Sequence, residues 1–220
     1  MFKDRSDAGK KLASALKKYE GQGVIVLAIP RGGVEIGCEI ARGLNAGFSI
    51  VISRKMPLPG NPEAGFGALA EDGSVFFHES ASRFVNPETA TQVIKEQEKV
   101  IKKRVEKLRG GRPLPDIKGK TVILTDDGIA MGSTMRASIY TCREKSAGKI
   151  IAAAPVASPR VKAEIEALAD DAVILESPRD FSAVAQAYEN WYDATDDEVL
   201  ALMKEFSGQY ENKTKTQGGN

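Results

Sequence analysis

The chain has 220 residues, enough for one domain with a complete core, and nothing in its length requires a second domain. Apolar residues make up 42% and charged residues 28%, and no apolar run approaches the length of a membrane span, so we expect no membrane partner. A formal charge of +1 with interspersed acids and bases argues against nucleic acid as the main partner. The N-terminus lacks the apolar core of a secretory signal, and Cys38 and Cys142 form no metal or disulfide pattern, which predicts a reduced, cytoplasmic protein.

The first quarter of the chain predicts a helix followed by a βαβ unit. The apolar spacing and the breaks predict, in order, a helix from residue 6 to about 21, a strand over 24–29, a helix over 34–44 and a strand over 48–53. The first strand is almost continuously apolar, as expected when both faces are covered, and it breaks sharply at residues 30–33. Arg54 and Lys55 follow the second strand, which we expect to run parallel to the first.

Prolines and glycines crowd the next segment, residues 56–79, and rule out a long helix. An acid-glycine turn at 71–73 between apolar runs predicts a β-hairpin, and residues 56–64 are a candidate mobile lid. The elements predicted downstream are helix 87–108 capped by Asn86, strands 122–125, 149–154 and 172–175, and helices 134–143, 159–169, 182–191 and 195–206.

These elements predict one α/β domain over residues 1–207, with a doubly wound, mainly parallel central sheet flanked by helices. Residues 56–79 would be an inserted hairpin or lid. The polar tail, residues 208–220, holds too few apolar side chains to order itself, so we expect it to be disordered.

The most informative stretch runs from Val122 to Arg136. A buried strand ends at Thr125, and two carboxylates, Asp126 and Asp127, precede a glycine-containing loop that leads into a helix. Such folds bind ligands at the carboxyl edge of their strands, and the free N–H groups of a helix N-terminus favour phosphate. Acids beside a phosphate site are reasonable if they face hydroxyl groups or a hydrated cation. A ribose 5-phosphate has this polarity along its length.

Standard nucleotide motifs do not match this loop. Residues 128–134 lack the spacing and the lysine of the Walker motif, and no Gly-x-Gly-x-x-Gly turn follows a strand. The acid-acid-glycine turn that ends in Gly132-Ser133-Thr134 instead resembles the phosphoribosyl pyrophosphate signature of type I phosphoribosyltransferases. The chain is similar to one branch of that superfamily, of unassigned substrate specificity, from Phe2 to about Met203. The similar segments are Asp4-Arg5, Asp7-Ala8-Gly9 and residues 29–34, 53–55, 60–63, 70–73 and 109–112.

The resemblance implies a site for phosphoribosyl pyrophosphate. The catalytic residues would be Arg31, Arg54, Lys55, Asp126 and Asp127. The substrate-binding residues would be Pro30, Gly32 and Gly33 in a pyrophosphate loop and Gly128, Ile129, Ala130, Met131, Gly132, Ser133 and Thr134 in a phosphate loop. Asp126 and Asp127 would bind the ribose hydroxyls and also hold magnesium through water molecules. The family commonly has a threonine where this chain has Met131, which removes one hydroxyl donor from the phosphate loop.

The resemblance further implies a magnesium-dependent pentosyltransferase. Such an enzyme transfers the 5-phosphoribosyl group to a nitrogen nucleophile, which is a base or a small amine, and releases pyrophosphate. The rival interpretation is a non-catalytic regulatory protein of the same fold that binds phosphoribosyl pyrophosphate or a nucleotide. Met131 favours this rival, whereas Arg31 and the Arg54-Lys55 pair favour the enzyme. A phosphohydrolase that uses the same loop is a weaker third interpretation.

The remaining candidate residues have simpler interpretations. We expect His78 on the solvent side of a strand, and Arg109 and Arg112 as helix-end charges that offset the helix dipole. Aromatic residues at helical spacing belong most often to the core, and those considered are Tyr188, Trp191 and Tyr192. The charged helix 88–108 could support a homodimer.

Overall fold

The computed structural model of the chain describes residues 1–79 and 85–217. Its central layer is a parallel sheet of five strands: β1 (Ile25–Ala28), β2 (Gly47–Ile50), β6 (Thr121–Thr125), β7 (Lys149–Val156) and β8 (Asp171–Glu176). A second, antiparallel sheet contains β3 (Ser53–Leu58), β4 (Asn61–Ala70) and β5 (Val75–Phe77). The helices are α1 (Arg5–Ala15), α2 (Gly33–Leu44), α3 (Pro87–Arg109), α4 (Ser133–Glu144), α5 (Pro159–Glu166) and α6 (Asp196–Gln217). None of them, over the described ranges, is long and apolar enough to cross a membrane.

The parallel sheet has the strand order β2-β1-β6-β7-β8, and its three central strands, β1, β6 and β7, are buried on both faces. Successive residues of a strand point to opposite faces, so Val26 and Ile123 belong to one core cluster while Leu27 and Leu124 belong to the other. Two-sided burial explains why these strands read as almost continuous apolar runs. The predicted doubly wound α/β fold is confirmed.

One predicted strand is wrong. The run 48–53 was expected to form a single strand with Arg54 and Lys55 beyond its end, but β2 ends at Ile50 and the chain turns at residues 51–52 into β3. Arg54 and Lys55 therefore lie within a strand of the second sheet, on its opposite faces. The apolar pattern continues through the break without glycine or proline, so no local signal marks it.

The insertion 56–79 is an ordered antiparallel sheet. The predicted hairpin around residues 71–73 is β4–β5, and the candidate lid 56–64 is the tip of a second hairpin, β3–β4. The predicted helix after Asn86 is present as α3, and the Asn86 side chain caps it by accepting a hydrogen bond from the Thr89 N–H at 2.8 Å.

One prediction near the C-terminus differs from the structure. The helix expected over 182–191 is reduced to one 3₁₀ turn, Val184–Ala187, and the chain leaves it through a β-bridge between Tyr188 and Phe2 and a bend at residues 189–190. Helix α6 is described as far as Gln217, residues 218–220 lie outside the described part, and the disorder expected over 208–220 stays a prediction.

Candidate functional site

Two of the predicted loops meet at the carboxyl edge of the parallel sheet. Strands β1 and β6 are parallel neighbours, so the loops that follow them, residues 30–33 and 126–132, leave the sheet side by side. The approach is close, since a Cβ built on Gly32 would lie 1.7 Å from Oδ2 of Asp127. Glycine leaves the space that this loop contact needs.

A cavity of about 470 Å³ opens beside this contact. Its wall combines the acid pair, the whole phosphate loop and one cation of β3, together with residues that follow β8. The lining residues are Lys55, Gly65, Asp126, Asp127, Gly128, Ile129, Ala130, Met131, Gly132, Ser133, Thr134, Met135, Ser182 and Val184. The structure therefore brings together the predicted ribose and phosphate sides of the site.

The phosphate loop is fixed by hydrogen bonds to the rest of the chain, while several of its N–H groups stay free. The N–H of Ile129 donates to the carbonyl of Val156 at 2.8 Å, and the buried Arg136 donates from Nη1 to the Met131 carbonyl at 2.6 Å. Helix α4 begins after Gly132 (φ +75°) without a side-chain cap. Among the described residues, the N–H groups of residues 130–134 meet no acceptor. Free N–H groups at a helix N-terminus form an anion site.

Arg136 is itself held by two contacts. Its guanidinium forms an ion pair with Glu164 of α5, and its central carbon lies 4.9 Å from the ring centroid of Phe76 in β5. Burial is the main cause that lowers the pKa of Arg136, and the carboxylate of Glu164 acts against it. The side chain thus connects the phosphate loop to both the helical layer and the second sheet.

The acid pair is half-buried in the wall of the cavity. Burial and then repulsion from Asp127 raise the pKa of Asp126 well above its ordinary value. Burial also raises the pKa of Asp127, although the Arg5 guanidinium acts in the opposite direction. Nε and Nη2 of Arg5 lie 2.9 and 2.8 Å from Oδ2 of Asp127. Two carboxylates that repel one another in a buried place favour the approach of positive charge.

A short C-terminal strap, residues 188–192, closes over Arg5 and the acid pair. The Tyr188 hydroxyl donates to the Asp127 carbonyl at 2.6 Å, and Nη1 of Arg5 donates to the Tyr192 carbonyl at 3.0 Å. The guanidinium of Arg5 also lies 4.2 Å from the ring centroid of Trp191. Tyr188 is buried as expected, but Trp191 and Tyr192 are 36% and 42% exposed, so their assignment to the core is wrong.

Three arginines form what we call the basic cluster: Arg31 of the loop after β1, Arg54 of β3 and Arg104 of α3. Burial and then repulsion from Arg31 lower the pKa of Arg54, whose Nε is buried and meets no acceptor among the described residues. Burial and then repulsion from Arg54 lower the pKa of Arg104. Asp196 at the start of α6 opposes both shifts. Guanidinium groups that repel one another, one of them with a spare donor, are suited to a polyanion.

The predicted cations therefore occupy two places. Lys55 lines the cavity, whereas Arg31 and Arg54 belong to the basic cluster and do not line it. Met131 lies within the phosphate loop with 53% of its surface exposed. Its side chain supplies no hydroxyl, as the sequence already indicated.

Sequence reasoning missed three residues of this region, Arg5, Arg104 and His78. Arg5 belongs to the Asp4-Arg5 segment that carried the family resemblance, which was the one available signal. Arg104 has no local motif. His78 was expected on the solvent side of its strand, but it is half-buried and its Nε2 lies 2.7 Å from Oγ of Ser133.

Two other groups named from the sequence have structural roles. Arg109 is not a simple helix-end charge, because it is buried in an ion pair with Glu71 and donates from Nη1 to the Ile50 carbonyl at 3.0 Å. Cys38 and Cys142 are buried, and burial raises the pKa of each thiol to about 12.

Comparisons with known proteins match most of the chain to one family. Residues 3–189 match the family model described as "Phosphoribosyl transferase domain". Proteins from two strains of Mycobacterium tuberculosis, which carry the provisional name phosphoribosyl transferase, are 36% identical over 205 residues. That match covers 92% of this chain and 46% of theirs, so the chain spans about half the length of these curated relatives.

Solved structures show the same fold. A crystal structure of a protein from Thermus thermophilus is 36% identical with a TM-score of 0.79, over 94% of this chain and 99% of that chain. A protein from Aquifex aeolicus has a TM-score of 0.50 at 15% identity, over 78% of this chain and 73% of that chain, and shows a likeness of fold alone.

Proposed function

Because the chain belongs to the phosphoribosyl transferase domain family, we propose that it transfers the 5-phosphoribosyl group of phosphoribosyl pyrophosphate to a nitrogen nucleophile and releases pyrophosphate. One observation carries the proposal. A loop with free N–H groups and an acid pair share one cavity, and Arg31 of the basic cluster lies in the adjoining loop at the same sheet edge. These features are complementary, in this order, to the 5-phosphate, the ribose hydroxyls and the pyrophosphate of that substrate.

Magnesium fits the chemistry of the acid pair. The described residues hold no group of three or more His, Cys, Asp or Glu side chains suited to a metal, so a cation here would keep most of its water. Magnesium commonly binds in this way, through one or two carboxylates and substrate phosphates. Asp126 and Asp127 would hold the hydrated ion, whose charge would offset the repulsion by Asp127 that, after burial, contributes to the raised pKa of Asp126. The ion would neutralise part of the pyrophosphate charge.

The chain's own residues would act mainly by binding and by electrostatics. The phosphate loop fixes the 5-phosphate through its N–H groups and the hydroxyls of Ser133 and Thr134, while the acid pair orients the ribose. When the bond from the anomeric carbon to pyrophosphate breaks, negative charge grows on the leaving group, and Arg31, Arg54 and Lys55 stabilise it. The tip of the β3–β4 hairpin is the segment suited to exclude water.

The test is pyrophosphate release from phosphoribosyl pyrophosphate and magnesium, measured across a panel of purines, pyrimidines and small amines. We expect release with at least one acceptor, because the three parts of the site match the whole substrate. Binding of phosphoribosyl pyrophosphate in calorimetry without release in any reaction would contradict the proposal. That result would favour the regulatory protein, an alternative that the absent hydroxyl at Met131 supports.

Arg104 and its neighbour Lys103 give a matched pair of variants for calorimetric titration with pyrophosphate. Arg104→Met should weaken pyrophosphate binding by about tenfold or more, since it removes one charge-assisted donor from the basic cluster. Lys103→Met removes the same charge from an exposed neighbour on α3 and should change binding little. Equal effects of the two substitutions would mean that only overall charge matters, and Arg104 would then have no place in the site.

A further inference from the structure

His78 is a titratable side chain that the sequence left without a role and that contacts the phosphate loop. It follows β5, and its Nε2 lies 2.7 Å from Oγ of Ser133, the first residue of α4. Its N–H donates to the Phe66 carbonyl at 2.9 Å, and the Phe76 ring stands edge-on to the imidazole at 4.9 Å between centroids. Because Ser133 is only 8% exposed, the imidazole occupies one of the few directions from which its hydroxyl can be reached.

The direction of this hydrogen bond decides what Ser133 can offer a ligand. A hydroxyl has one proton. If Ser133 donates that proton to an unprotonated Nε2, only its lone pairs face the loop, and they repel a phosphate oxygen. If Nε2 carries a proton, either in the imidazolium or in the neutral tautomer protonated at Nε2, and donates it to Oγ, the hydroxyl proton is free for the phosphate. A phosphate dianion only accepts hydrogen bonds, so it favours the second arrangement.

Burial and the charges around His78 set the protonation state of its imidazole when no ligand is bound. Burial is the largest cause that lowers its pKa, and Arg136 of α4 lowers it further. From α5, Glu164 acts to raise the pKa and Arg160 acts to lower it. The imidazole is therefore mostly neutral at neutral pH when the loop is empty. A dianion brought to the loop opposes both the burial and the arginine effects, and so favours the imidazolium.

We propose that His78 is a positioning residue of the phosphate loop, which takes up a proton when a sugar 5-phosphate binds and thereby holds the Ser133 hydroxyl as a donor to that phosphate. The inference rests on the part of the proposed function that gives this loop to the 5-phosphate. It does not depend on turnover. It also supplies a compensation for the hydroxyl that Met131 lacks, since a charge-assisted bond is about twice as strong as a neutral one.

Calorimetric titration of the full chain with ribose 5-phosphate, at about pH 7 in two buffers of different ionisation enthalpy, measures the protons exchanged on binding. The wild-type protein should take up a fraction of a proton more than His78→Gln, a variant that keeps a neutral hydrogen-bonding amide of similar reach. At this pH the phosphate, with a second pKa of about 6, is already mostly a dianion in solution, so its own proton exchange on binding is small in both proteins. His78→Gln should bind about tenfold more weakly. Equal proton exchange in the two proteins would overturn the inference, and so would failure of ribose 5-phosphate to bind.

A double-mutant cycle tests the route through Ser133. Ser133→Ala should remove most of the effect of His78→Gln on ribose 5-phosphate affinity, because the imidazole then has no hydroxyl to position. Independent, additive losses would show that His78 does not act through Ser133. Thermal unfolding of each variant establishes that it is folded.

Pyrophosphate release, measured in parallel, separates this inference from the proposed function. Proton-linked binding of ribose 5-phosphate with no release in any reaction would remove the enzyme activity and leave the role of His78 intact. Pyrophosphate release without excess proton uptake would support the enzyme activity and remove the proposed role of His78.

Discussion

Asp126 and Asp127 lie side by side in the wall of the cavity, and Asp127 contacts the guanidinium of Arg5. Such an arrangement opposes folding, because the single arginine contacts only Asp127 and leaves the charge of Asp126 without a direct partner. The arrangement is reasonable at a binding site, where a ligand can complete the charge balance. At the scale of residues, stability and ligand binding therefore make opposite demands on Asp126.

Asp126→Asn should make the ligand-free protein more stable at neutral pH while it reduces turnover. The direction of this stability change follows from the raised pKa of Asp126 in the folded protein. An acid with a raised pKa is ionised less easily in the folded protein, so ionisation costs stability progressively as pH rises above the unfolded value, about 4. The asparagine avoids this cost. We expect a gain of about 0.5–2 kcal/mol at pH 7.5 without magnesium and almost none near pH 4.

Urea unfolding at the two pH values measures that difference, and pyrophosphate release measures the accompanying loss. A variant that is less stable than the wild type at the higher pH would show that the Asp126 carboxylate is a net stabilising group.

The contacts of Arg5 and His78 show which residues of the proposed site could be predicted from the sequence and which could not. The phosphate loop and acid pair are contiguous in sequence, so their types and spacing are informative before folding. Arg5 is 122 positions from Asp127, and His78 is 55 positions from Ser133. Neither pair has a local pattern, and both depend on how two sheets and the chain termini pack together.

At the scale of elements, an ion pair joins the two sheets to helix α3. Arg109 at the end of α3 pairs with both carboxylate oxygens of Glu71, which follows β4. Oε1 of Glu71 accepts from the N–H of Ile52 at 2.9 Å, at the turn between the sheets. The side chains are only 4% and 9% exposed, so water replaces little of this interaction if it is lost. The pair thereby fixes β3, which carries Lys55, relative to the phosphate loop.

Glu71→Gln should lower the free energy of unfolding by about 3–5 kcal/mol, since it leaves the Arg109 guanidinium buried without its counter-charge. Glu20→Gln is a matched control, because Glu20 pairs with Lys17 on the surface and its loss should cost less than about 1 kcal/mol. Equilibrium denaturation compares the two variants. Similar small losses would mean that the Glu71 pair contributes no more than a surface pair.

The elements that sequence reasoning found are those with a complete local signal. Helix α3 has a cap, an amphipathic pattern and a terminating glycine, and its predicted bounds are close to those observed. The strap at 188–192 has helical aromatic spacing, but it forms no helix, and Tyr188 and Tyr192 instead contact Asp127 and Arg5. Local preference is weak compared with such tertiary contacts.

At the scale of the whole molecule, the proposed site is built from the N-terminal helix, both sheets, α3, α4 and the C-terminal strap. A ligand that occupies it should therefore stabilise the whole chain. At phosphoribosyl pyrophosphate about 100-fold above its dissociation constant, the expected gain is about 2.7 kcal/mol. For a chain of this length that corresponds to an increase of about 5–10 °C in the unfolding midpoint.

Differential scanning fluorimetry with magnesium measures this shift, and ribose without phosphate is the control, since it lacks both anionic groups. An unfolding midpoint that phosphoribosyl pyrophosphate leaves unchanged would contradict the assignment of the site.

The contact between Gly32 and Asp127 has a mechanical consequence. With no free space between them, the loop after β1 and the acid pair after β6 cannot shift past one another independently. Movement imposed on either loop by a bound group would be transmitted directly to its neighbour. The leaving-group end and the sugar end of the site would then move as a single unit, and a fragment bound at one end would alter the geometry that the other end presents.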